Sequence, residues 1–203
     1  MPEQSSMHSY LSWTKERLDE MDAVLASLET KTDQGKTELR RRVDQLMSDL
    51  SKRRDEFQAQ VKAQAEAGET AIKASNAQLE SLWHGFEAQV ESYFETIGEQ
   101  IEQQQATFRK VAAAQANAWR EAADKLHYEA ARVAAARRAD IDAAIKQMRV
   151  DAAEAEARLQ KLKQAGSDSW ISMSSALSEA RKAFDQANQR GWDALKRAAF
   201  PRS

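Results

Sequence analysis

Large apolar residues recur along this chain at one interval. Counting in elevens from Leu28 meets Leu39, Leu50, Val61, Ile72, Trp83 and Phe94. A second track, four residues behind, runs through Val24, Leu46, Phe57, Leu79, Val90 and Ile101, broken only at Gly35 and Gly68. A third opens at Phe86 and passes through Ile97, Phe108, Trp119 and, beyond Ala130, Ile141. Eleven residues at about 3.67 per turn complete three turns, so combined spacings of four, three and four hold all three tracks on one helix face. The pattern predicts an all-α protein with hendecad patterning and a nearly straight or slightly right-handed supercoil.

The richest segment, SLWHGFEAQVESYF at 81–94, holds four aromatic rings, a histidine and a glycine. It is either a pocket wall or a thick layer of the seam. Trp83, Phe86, Val90 and Phe94 follow spacings of three, four and four, and aromatic stripes at helical spacing are usually core. The expectation is therefore a packing seam. Off the stripe, acid-first pairs four apart (Glu38 with Arg42, Asp49 with Arg53, Glu121 with Lys125, Asp142 with Lys146, Glu154 with Arg158) support exposed helix by about 0.2–0.5 kcal/mol each. From 110 to 157 alanine dominates and the large seam residues thin out.

The clearest stop is KLKQAGSDSW, 161–170: lysines in a last turn, Gly166 as a left-handed cap, then Ser167 or Asp168 opening a new helix. The chain is thus divided into a rod over 1–165 and an amphipathic C-terminal helix over 166–203, folded back antiparallel at about 165–168. That helix packs through Trp170, Met173, Leu177, Phe184, Trp192 and Leu195. Weaker turn signals lie at ETKTDQGKT and AEAGET, around Gly35 and Gly68, yet the eleven-residue count passes both in phase. An unbroken helix from 7 to 165 would be roughly 240 Å long, against a radius of gyration of about 17 Å for a compact chain of this size. The folded-back helix covers about one fifth of such a rod. The expectation is an elongated coiled coil of very long helices that hides the rest of its stripe in a homodimer or higher homo-oligomer. A bundle self-folded at the weak turns is the alternative.

Composition narrows the chemistry. Thirty basic and thirty-two acidic residues leave a net charge of −2, and mean hydropathy is −0.73. No global field favours nucleic acid, and the basic clusters at Arg40 to Arg42, Lys52 to Arg54 and Arg137 to Arg138 have acidic neighbours. There is no cysteine, no apolar run of 18 residues and no basic-then-apolar leader, so a cytoplasmic location is expected. Asp124 and His127 have the carboxylate-x-x-His spacing of di-metal bundles, and Glu80 with His84 could share an ion, but neither has the further ligands such sites need. With no nucleophile elbow and no phosphate loop, neither enzymatic activity nor a cofactor or metal is expected.

The tail SWISMSSALSEARKAFDQANQRGWDALKRA, 169–198, resembles that of bacterial coiled-coil proteins described as apolipoprotein-like, mostly without an assigned function. The eleven-residue amphipathic period is similar to that of apolipoproteins, granule-coating phasins and desiccation-associated helical proteins. The resemblance implies a helical interaction protein, and these groups offer no catalytic residues to carry over. The expected role is a structural or scaffolding coiled coil that pairs with its own copy or a protein partner. The alternative is an amphipathic-helix protein that lies on lipid or a hydrophobic granule; a narrow stripe favours helix pairing.

Overall fold

A computed structural model describes residues 4–28, 37–67, 69–97, 101–133, 135, 138–165 and 170–199. Among them six helices follow in order: α1 (Gln4–Leu28), α2 (Thr37–Ala67), α3 (Glu69–Ile97), α4 (Ile101–Ala130), α5 (Ala139–Ala165) and α6 (Trp170–Ala199). No strand occurs among the described residues. Acidic residues open several of them, Glu38 in α2, Glu102 in α4 and Asp140 with Asp142 in α5, while Lys196 and Arg197 close α6, complementing the helix dipole.

The unbroken helix expected over 7–165 does not form. That span is divided among five helices of 25 to 31 residues, each about 37–47 Å long. Gly35, Gly68 and Gly166, the expected turn residues, lie outside the described residues, but the helices on either side of each run against one another. Gln60 Nε2 of α2 donates to Gln78 Oε1 of α3 at 3.1 Å, which makes the two an antiparallel pair. A Cβ on Gly191 of α6 would stand 3.5 Å from the Cβ of Ala144 in α5, so those two also run antiparallel. The physical reason is burial: an amphipathic face worth about 1.5–3 kcal/mol per large side chain is hidden as well by folding back as by a second chain.

α1 is the common partner. It runs antiparallel to α4, with Ser27 bonded to Thr107 at 2.8 Å and Lys15 paired with Glu121 at 3.1 Å. It also runs antiparallel to α2, where Arg54 meets Asp22 at 2.7 Å and the buried Tyr10 hydroxyl donates to Gln64 Oε1 at 2.7 Å. Burial pushes the Tyr10 phenol up to about 12. Against α6 it is antiparallel again, marked by His8 stacked on Trp192 with centroids 4.7 Å apart.

Two cores share these helices. The first joins α1, α2 and α3 through Met21, Leu28, Leu50, Phe57, Leu79 and Phe86, and takes Phe108 and Val111 from α4 and Met173 and Leu177 from α6. The second joins α4, α5 and α6 through Trp119, Leu126, Ile141, Met148, Phe184 and Trp192, with Trp119 stacked on Phe184 at 4.8 Å. α6 therefore contributes to both cores. At the second core, the turn after α4 is held by Arg138, whose Nε donates to the Val133 carbonyl at 2.6 Å and Nη2 to that of Ala131 at 2.7 Å. The last carbonyls of α4, His127 to Ala130, which a helix terminus leaves open, accept from the backbone N–H groups of Ala131, Arg132 and Val133.

Candidate functional site

Most of the expected seam residues are buried, but against helices of their own chain. Leu28, Leu50, Phe57, Leu79, Trp83, Phe86, Val90, Phe94 and Phe108 lie in the first core, while Leu46, Val61 and Ile97 are partly buried against it. Trp119 and Ile141 lie in the second. Of the C-terminal set, Met173 and Leu177 enter the first core, Phe184 and Trp192 the second, and Leu195 is partly buried there. The side chains of Ile72, Ile101 and Trp170 lie outside the described residues. Leu39 departs from expectation: it is 38% exposed. α1 ends at Leu28 and pairs antiparallel with α2, so the Asp22–Arg54 register carries Leu39 past the end of its partner.

The segment 81–94 is seam and pocket wall at once. Trp83, Phe86 and Val90 belong to the first core, and together with His84, Glu87 and Glu91 they line a cavity of about 460 Å³ between α3 and α6. Ser174, Ser175, Leu177, Ser178 and Arg181 of α6 form the opposite wall, and Glu20 and Val24 of α1 with Val111 of α4 form the floor. The helical spacing that puts Trp83 and Phe86 in the seam also puts Glu87 and His84 beside them at the rim. His84 Nδ1 lies 3.0 Å from Glu87 Oε2.

Beneath the cavity is a buried charge network that the sequence pattern did not identify. Arg181, 6% exposed, donates from Nε and Nη2 to the two oxygens of Glu20 at 3.2 and 2.8 Å, and from Nη1 to Glu87 at 3.1 Å. Its guanidinium also lies over the Trp83 ring, 4.7 Å from the centroid. Burial works against the Arg181 cation, but Glu20, Glu87 and Glu16 outweigh it and hold the pKa above its usual range. On α1, Arg17 donates to Asp185 of α6 at 2.8 Å, contacts Glu16 at 3.0 Å and covers the Trp13 ring at 4.7 Å.

Four carboxylates (Glu16, Glu20, Glu87, Asp185) thus share two guanidinium groups (Arg17, Arg181). Glu16 bears the excess. Burial pushes its carboxyl up to about 8, with Arg17 opposing and Asp185 and Glu20 adding to the rise. One Glu16 oxygen and Arg17 Nε are buried with no hydrogen-bond partner, as are the indole nitrogens of Trp83, Trp119 and Trp192. The missed signal was present: stepping back eleven from Leu28 gives Arg17, and extending the Phe86 track back in elevens reaches Glu20.

The two spacings tested for metal binding do not close into sites. Asp124 meets Arg149 at 3.2 Å and His127 is exposed. Among the described residues no group of three His, Cys, Asp or Glu side chains could hold a metal ion, and no helix is long and apolar enough to cross a membrane. No protein-family model, curated protein or solved structure matches this chain.

Proposed function

We propose that this chain is a non-enzymatic amphipathic-helix protein that stores its apolar faces within one bundle and turns them out onto lipid or a hydrophobic granule. The observation that carries this reading is where the stripe is hidden. The large apolar residues of all six helices pack within one chain, leaving Leu39, Tyr128 and Val150 as the exposed large hydrophobics among the described residues. A partner reached through the stripe therefore has to exchange with contacts the bundle already makes. The bundle interior is also costly to keep closed: each buried polar group without a partner costs about 1–3 kcal/mol. Opened at a lipid–water boundary, the indole nitrogens of Trp83, Trp119 and Trp192 gain acceptors while their rings stay in an apolar phase. The apolipoprotein-like resemblance of the tail, the phasin-like eleven-residue period and a cytoplasmic setting accord with this role.

A scaffolding homo-oligomer is the second reading, and one feature favours it. A single residue separates Ala67 of α2 from Glu69 of α3. So short a hinge can straighten and pass one arm to a second copy, re-forming the same contacts between chains in an elongated coiled coil with the eleven-residue stripe intact.

Flotation separates the two. The chain is mixed with phosphatidylcholine vesicles or polyester particles, and its mass is followed by light scattering. Co-flotation from a monomeric stock supports surface binding. Full recovery in the unbound fraction contradicts it, and a dimeric mass in the same sample supports the scaffold.

A further inference from the structure

We propose that the cavity between α3 and α6 binds a small organic cation with an apolar or aromatic body, a role beyond the surface association above. Its volume of about 460 Å³ falls within the 300–1,000 Å³ typical of small-molecule sites, which are largely apolar with a few convergent polar groups. Trp83, Phe86 and Leu177 supply the apolar wall.

The charge of the lining selects the sign of the ligand. Three carboxylates, Glu20, Glu87 and Glu91, face one guanidinium, Arg181. Arg181 cannot serve as an anion anchor, because three of its N–H groups already bond to Glu20 and Glu87 and its charge is spent between them. Glu91 differs: it is exposed at the rim, and among the described residues it forms no ion pair. It leaves a negative charge to be met by whatever enters. Trp83 bears on the body of the ligand. It is 5% exposed, lines the cavity, and its indole N–H has no acceptor. A ligand with an ammonium group at Glu91 and an apolar or aromatic body against Trp83 and Phe86 meets the charge that the lining leaves open and fills its apolar wall.

Occupancy would also tie α3 to α6, which otherwise meet along a short stretch. A bound cation therefore stabilises the closed bundle in proportion to its concentration over Kd.

The test uses the full chain and three probes of matched size: 2-phenylethylammonium, 2-phenylethanol and 3-phenylpropionate. Affinity is measured by calorimetry, and the Trp83 indole N–H resonance, assigned by its loss in Trp83→Phe, reports the place of binding. Expected are saturable binding of the ammonium probe with a shift of that resonance, and binding at least tenfold weaker for the neutral and anionic probes. Glu91→Gln weakens the ammonium probe about two- to fivefold with helicity unchanged. Ser178→Phe, which fills the cavity, abolishes the shift; if that variant fails to fold, Glu91→Gln alone decides. Equal or tighter binding of 3-phenylpropionate overturns the proposal. So does a Trp83 resonance unmoved at about 10 mM ammonium probe, or an affinity unchanged by Glu91→Gln.

Discussion

Arg181 of α6 and Glu20 of α1, 161 positions apart, meet as a two-pronged buried ion pair, Nε to Oε1 at 3.2 Å and Nη2 to Oε2 at 2.8 Å. Buried pairs of this kind add little net stability but are costly to break, because the remaining partner is left charged and dry. Arg181→Met is expected to destabilise the bundle by about 3–5 kcal/mol in urea denaturation. Adding Glu20→Leu to it recovers much of that loss, since neither charge then remains. A single variant within about 0.5 kcal/mol of the parent would mean that α1 and α6 do not meet here.

Glu16 gives the bundle a pH dependence of defined sign. Its carboxyl is held at about 8 when folded, against 4.5 when free, so between those values the folded chain binds a proton that the unfolded chain lacks. Stability from this group therefore falls as pH rises from about 4.5 to about 8, by at most about 1.4 kcal/mol per pH unit, and is level above. Glu16→Gln removes the titration while keeping the shape. The variant is expected to match the parent near pH 4.5 and to exceed it increasingly toward pH 8. Taking the difference between the two proteins cancels other groups, including His8, whose pKa burial and Lys125 lower against the pull of Glu129. A difference that stays constant with pH contradicts the assignment.

Two helical glycines are expected to respond oppositely to alanine. A Cβ on Gly85 would stand 2.7 Å from Arg53 Nη1, the free end of a flexible side chain that can swing aside. Gly85→Ala is expected to raise stability by up to about 1 kcal/mol through helix propensity. A Cβ on Gly191 would press into the Cδ2 of Leu126, which is fully buried in the second core. Overpacking of that kind costs about 1–3 kcal/mol and outweighs the same propensity gain. Thermal unfolding of both variants measures the contrast, and a stabilised Gly191→Ala would show that α4 and α6 are not in contact at this layer.

The helices were legible in the sequence, and so was the buried face of most of them. Leu28, Leu50, Phe57, Phe94 and Ile141 are buried where the eleven-residue count places them. What the count could not reveal is the occupant of the other side of the seam, because an amphipathic face has the same pattern whether a second chain or the next helix covers it. An unbroken phase through Gly35 and Gly68 does not require a continuous helix, because two antiparallel arms can each bury a face without any break in the count. One member of the acid-first pairs is met across helices instead: Glu121 pairs with Lys15 of α1. The charge network was hidden because Glu16, Arg17 and Glu20 look like solvated helix until Arg181 and Asp185 of α6 are brought to them by the fold.

Whether one chain closes this bundle by itself is read out by the distance between Lys15 and Glu121. Their charged ends are 3.1 Å apart although 106 positions separate them, and both side chains are at least half exposed. The chain has no cysteine, so Lys15→Cys with Glu121→Cys accepts two spin labels without interference. Measured in an excess of unlabelled chain, the label separation is expected at roughly 10–25 Å, the spacing of packed helices plus the label arms. A continuous helix would hold the two sites about 160 Å apart. Loss of the short distance on dilution with unlabelled chain, or its absence from the start, would contradict a bundle closed within one molecule.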